Sequence, residues 1–141
     1  MIVVADASVA LKWFLADSPL EDHTGPALAI LQAAVQGEIQ LLEPVHFIAE
    51  VAAVLARLKP REAQADLMNL MAIERRTVDS LEVYNGAVAL ASMLGQHVFD
   101  TSYHALALRT AGAMLVTADR RYFDKARHLG QITWLAEFVV A

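Results

Sequence analysis

The chain has 141 residues, 57% of them hydrophobic, with eleven Lys plus Arg against sixteen Asp plus Glu, a formal net charge of −5. That length suits one domain with a full core, so disorder is excluded as the ground state. The zero Cys count removes disulfide scaffolds, thiolate zinc sites and Cys nucleophiles, and the net acidity argues against nucleic-acid binding by bulk charge alone.

Ile2 to Ala5 is a short β-branched run that stops at Asp6, as a buried parallel strand would. No basic segment precedes it, so no targeting segment is expected. Ser8 to Leu15 reads as a helix, broken by Asp17-Ser18-Pro19. Thr24 caps an expected helix from Pro26 to Gln36, closed by Gly37. Ile39 to Leu42 reads as a strand ended by Glu43-Pro44. Val45 to Lys59 carries apolar residues at helical spacing (Phe47, Ile48, Val51, Leu55, Leu58) up to Pro60. Arg61 to Glu74 is a further helix, Thr77 to Asp79 a small strand, and Leu81 to Leu94 a helix closed by Gly95. Thr101 to Ala111 reads as helix, Ala113 to Thr117 as strand, Asp119 to Arg127 as helix and Ile132 to Leu135 as a last strand. The longest uncharged stretch, Val83 to Phe99, contains Asn85, Ser92, Gln96 and His97, which argues against a membrane span. A cytoplasmic protein is the expectation. Alternating strands and helices predict an α/β fold with a mainly parallel central sheet, built as one domain over 1–141.

Three aspartates share a position type. Asp6 follows the first strand, Asp119 follows the strand Ala113–Thr117, and Asp100 stands before a helix. In open parallel sheets ligands bind outside the carboxyl ends of the strands. Each Asp alone is equally readable as a helix N-cap. Glu50 lies inside the apolar helix, with His46, Phe47, Ala53 and Val54 three and four residues away; alone it reads as a partly exposed surface Glu. Together the four carboxylates suggest one cluster needing a compensating cation. Mg²⁺ or Mn²⁺ suits oxygen-only ligands, whereas zinc lacks its Cys or paired His. His46 and His104 read as structural or surface residues.

Val4-Ala5-Asp6-Ala7-Ser8-Val9, Glu50, Asp100-Thr101-Ser102-Tyr103-His104-Ala105, and Leu115-Val116-Thr117-Ala118-Asp119-Arg120-Arg121-Tyr122-Phe123 resemble the PIN-domain ribonucleases of the VapC toxin type, in the right order along the chain. The resemblance implies a three-layer α/β/α sandwich. It implies an acidic quartet, Asp6, Glu50, Asp100 and Asp119, that binds Mg²⁺ or Mn²⁺ and cleaves RNA, with Ser8 and Thr117 as assisting hydroxyls. It also implies a VapB-type antitoxin as partner and a homodimer. Where the family often carries Asn, three residues after the helical Glu, this chain has Ala53.

The expected chemistry is hydrolysis of a phosphodiester by metal-activated water. Arg120, Arg121 and Lys125, with Arg127, would grip phosphates, as would Arg57, Lys59 and Arg61. Tyr122 or Phe123 could stack a base, one of them belonging to the core. Phe47, Val51, Val54, Leu67, Leu70 and Met71 either line an antitoxin groove or form core. Two rivals stay open. A phosphoacceptor receiver domain would need a second acid beside Asp6, where Ala7 and Ser8 stand. A non-catalytic PIN-like RNA- or protein-binding module would be expected to have lost one of the four acids.

Overall fold

The computed structural model describes residues 1–141. Five strands form one all-parallel sheet in the order β3-β2-β1-β4-β5: β1 (Ile2–Ala5), β2 (Gln40–Pro44), β3 (Arg76–Val78), β4 (Ala113–Thr117) and β5 (Ile132–Trp134). Seven helices connect them: α1 (Ala7–Leu15), α2 (Thr24–Val35), α3 (Phe47–Leu58), α4 (Ala63–Ala72), α5 (Leu81–Leu94), α6 (Val98–Leu108) and α7 (Arg120–Ala126). Both α1 and α6 lie over β1 and β4. They do so from opposite faces, α1 with α2 and α3 beside it and α6 with α5 beside it. The result is the three-layer α/β/α sandwich. No helix is long and apolar enough to cross a membrane.

The sheet reverses its order at β1, which pairs with β2 on one side and β4 on the other. Such a reversal opens a crevice beyond the strand ends. The β1 strand is buried on both faces, with Val3, Val4 and Ala5 fully enclosed, which accounts for its unbroken apolar run. One cluster of 31 buried residues unites both helical layers, and much of it is alanine, as in Ala87, Ala105 and Ala107. Small side chains let α5 and α6 approach closely. A Cβ placed on Gly86 of α5 would lie 3.3 Å from Ala105 Cβ of α6. Gly86→Leu therefore forces these helices apart and should cost roughly 1–3 kcal/mol in urea unfolding.

Several element boundaries differ from the sequence reading. Helix α2 begins at Thr24 itself, behind His23 in the left-handed region (φ 51°), with no side-chain cap. Pro26 falls in its first turn, where a missing N–H costs nothing. Strand β2 runs on through Glu43 and Pro44, because its pairing with β3 continues there (Glu43↔Thr77, Pro44↔Val78) after its ladder with β1 has stopped at Val3↔Leu41. Helix α6 starts at Val98, since the N–H groups of both Asp100 and Thr101 bond to His97 O. Asp100 thus lies inside the first turn, not in front of the helix.

Candidate active site

Asp6 leaves β1 at the point where the crevice opens, its N–H still held by Val116 O (3.1 Å). It occupies the N-cap position of α1 but makes no capping bond. Its Oδ2 instead accepts from Thr117 Oγ1 (2.8 Å) and Ser8 Oγ (2.9 Å). Those hydroxyls are fixed in turn, Thr117 Oγ1 accepting the Asp119 N–H (3.0 Å) and Ser8 Oγ the Ala118 N–H (3.1 Å). Two hydroxyl relays therefore tie the β4–α7 turn to one oxygen of Asp6 and leave Oδ1 available.

Burial raises the Asp6 carboxyl from 3.8 to about 6. The two hydroxyl bonds oppose that rise, and repulsion from Glu50 and Asp100 adds to it. Thr117→Val deletes one opposing bond, so the Asp6 carboxyl should titrate higher still in the metal-free protein. A carboxyl-carbon NMR titration of that variant beside wild type checks the direction.

The other three acids arrive from three helices. Glu50 stands in the first turn of α3, where its Oε1 is 2.9 Å from His46 Nε2 and accepts the Tyr103 hydroxyl (3.1 Å). Asp100 is pushed upward, first by burial and then by Glu50 and Asp119, with His97 and His46 pulling weakly the other way. Asp119 is the one aspartate of the three that caps a helix, accepting the Tyr122 N–H at Oδ1 (3.0 Å). Asp6, Glu50, Asp100 and Asp119 are thus neighbours in one field of mutual repulsion. As the side chains stand, no three Asp, Glu or His groups converge tightly enough to ligate a single ion. No Lys or Arg pairs with any of the four. An oxygen-only set of mutually repelling carboxylates with no Lys or Arg partner fits a hard divalent ion.

Three further residues belong to this rim: Glu43 and Tyr103, to which the sequence assigned no role, and His46, read as structural or surface. Glu43 is fully buried, accepts the Ala5 N–H through Oε1 (2.9 Å) and leaves Oε2 without a hydrogen-bond partner. Burial holds its carboxyl well above the usual range, and Asp6 adds to the shift. The signal was present, an acid ending a strand at the same rim as Asp6. His46 is not a bystander, for its Nε2 meets both Glu50 and Phe99 O (2.9 Å). Tyr103 is buried, with its hydroxyl held in the neutral form by burial and by Glu50. His104, read as structural or surface, is enclosed between the Tyr122 hydroxyl (3.0 Å) and Gly130 O (2.8 Å).

The basic residues divide. Arg120 donates to Asp124 (3.1 Å) and lies over the Trp134 ring (4.3 Å), whereas Lys125 reaches Leu94 O (3.4 Å). Arg121 is exposed on α7 with no such tie. Lys59 is engaged by Asp66 (2.9 Å) and Phe14 O (2.7 Å). Tyr122 and Phe123 are both buried, which corrects the idea that one of them stacks a base. Phe47, Val51 and Leu70 are core, while Met71 is exposed.

The family model of the PIN domain matches residues 3–129, a span that contains all four acids. The chain belongs to the PIN-domain family. No curated protein sequence matches it. Among solved structures, this PIN domain is similar to a chain of VapBC-1 from nontypeable Haemophilus influenzae, at 14% identity and a TM-score of 0.64, covering 97% of this chain and 100% of that one. It is also similar to a chain of VapBC2 from Rickettsia felis bound to a DNA fragment from their promoter, at 16% identity and a TM-score of 0.62, covering 95% and 98%. At such identities the likeness is one of fold.

Proposed function

We propose that this PIN domain is an endoribonuclease dependent on Mg²⁺ or Mn²⁺, acting as the VapC-type toxin of a toxin–antitoxin pair. The observation that carries the reading is the mutual repulsion among Asp6, Glu50, Asp100 and Asp119 at the switch-point crevice with no Lys or Arg paired to them. These four would hold the cation. When bound, it supplies Lewis-acid polarisation of the phosphate and a lowered pKa for attacking water. The protein's own groups do the rest. Thr117 and Ser8 fix the Asp6 carboxylate through Oδ2, and His46 with Tyr103 fixes Glu50. Arg121, exposed on the helix that Asp119 caps, would hold a phosphate, with Arg120 and Lys125 on the same helix. Hydrolysis forms a bond from water oxygen to phosphorus and breaks one bridging P–O bond, whose oxygen leaves with a proton.

The VapBC likeness supports a VapB-type antitoxin as partner, and a homodimer belongs to the same reading. A groove of about 660 Å³ lined by apolar Phe14, Leu15, Leu20 and Leu58 and by charged Asp17, Glu21, Lys59 and Glu62 suits an amphipathic antitoxin segment.

The test is a time course on end-labelled single-stranded RNA with Mg²⁺, Mn²⁺ or a chelator. Cleavage is expected with either cation and none with chelator. RNA binding without cleavage under every condition would instead mark a non-catalytic module.

A further inference from the structure

Phe99 is the most exposed aromatic residue of the chain, with 62% of its surface open, and it directly precedes Asp100. Tyr103, Tyr122 and Phe123 are buried. A phenyl ring open to water in a helix's first turn gains nothing from the core, yet this one is held in place. Its carbonyl oxygen meets His46 Nε2 at 2.9 Å, and its ring stands 5.3 Å from the His46 ring at 59°. His46 in turn packs edge-on against Tyr103 (5.0 Å, 71°) and touches Glu50. Tyr103, His46 and Phe99 thus form an aromatic ramp from the buried acids to the surface. On the neighbouring side, Lys125 of α7 reaches Leu94 O at the end of α5, so the basic helix adjoins the turn that leads into Phe99.

We infer that Phe99 is a base-stacking platform that seats an unpaired nucleotide beside the phosphate to be cut. The inference rests on the nuclease reading. An uncharged base meets no repulsion from the acids, while the backbone phosphates fall to α7. An aromatic face accepts any base that is free of its stack, and a base locked in a duplex cannot reach it. Phe99 acts here by positioning substrate.

The experiment measures two things. Fluorescence anisotropy of a labelled single-stranded RNA is read in the non-cleaving Asp100→Asn protein, with and without Phe99→Ala or Phe99→Trp. Steady-state cleavage is read in the same Phe99 variants with Asp100 intact. Loss of one stacked base is expected to weaken binding and kcat/KM by about ten-fold or more, with Phe99→Trp restoring both. The melting temperature, the Mn²⁺ affinity and the mass in solution should stay unchanged. A hairpin with the cleaved step paired should bind no better to wild type than to Phe99→Ala. Equal binding by Phe99→Ala and wild type, or a change of oligomeric mass in Phe99→Ala, would overturn the platform; the latter would make Phe99 an interface residue between copies. A Phe99-dependent loss of binding in a protein that cleaves no RNA would overturn the nuclease reading and leave the platform standing.

Discussion

Asp6→Asn abolishes RNA cleavage, lowering the rate by about three orders of magnitude, and at the same time stabilises the metal-free protein. Asn keeps an oxygen for Thr117 and Ser8, so the fold survives. It cannot supply the anion that the cation needs. The stability gain follows from linkage. The folded carboxyl titrates at about 6 against 3.8 for an open one. A raised acid favours folding fully below the unfolded value, and this contribution is lost as pH rises from 3.8 to about 6. Roughly two pKa steps correspond to about 3 kcal/mol. At pH 7.5 with chelator, Asp6→Asn should melt higher than wild type, by roughly 5–10 °C. A lower melting temperature, or retained cleavage, would contradict the account. Function and stability therefore oppose each other at Asp6, and a bound cation would reverse the order by stabilising wild type alone.

Glu43 gives the second large effect, read from two substitutions compared with each other and with wild type at pH 4 and pH 8. Glu43→Gln keeps an acceptor for the Ala5 N–H and removes a carboxyl that burial holds well above its ordinary range. Since that carboxyl is raised, the stability it gives to the fold is complete below its unfolded value and falls as pH climbs past it. The Gln variant lacks this fall, so it should be the more stable protein at pH 8 and nearly equal to wild type near pH 4. Glu43→Ala also lacks the carboxyl but strands the Ala5 N–H inside the sheet, so it should be less stable than Glu43→Gln at both pH values, by about 1–3 kcal/mol before any cavity is counted. Urea unfolding at the two pH values separates the cases. A Gln variant less stable than wild type at pH 8 would show that the buried carboxyl is better matched than its unpartnered Oε2 indicates.

The parallel sheet was legible because β1 and β4 are buried on both faces and so read as unbroken apolar runs. The acids were legible because strand ends and helix starts punctuate those runs, which placed Asp6 and Asp119 at one rim. What the one-dimensional pattern could not carry was the pairing across it. The capping rule fits Asp119 and misleads at Asp6, whose oxygen is taken by Thr117 from 111 residues away. Glu43 read as the residue that ends a strand, because nothing local shows that the β1–β2 ladder stops early and hands the Ala5 N–H to a side chain. The aromatic available to RNA was sought in Tyr122-Phe123, at the conspicuous basic motif. The fold encloses both and exposes Phe99, which sequence alone presents as one apolar residue in the pair Val98-Phe99.

The central claim is that four carboxylates from one strand end and three helices form one cation site. Titration of Mn²⁺ into the purified full chain at pH 7.5, followed by calorimetry or by loss of the free-ion electron paramagnetic resonance signal, tests it most directly. The account predicts saturable Mn²⁺ binding by wild type that is lost or strongly weakened in each of Asp6→Asn, Glu50→Gln, Asp100→Asn and Asp119→Asn, all still folded. No binding by wild type, or binding that survives unchanged in these variants, would contradict it.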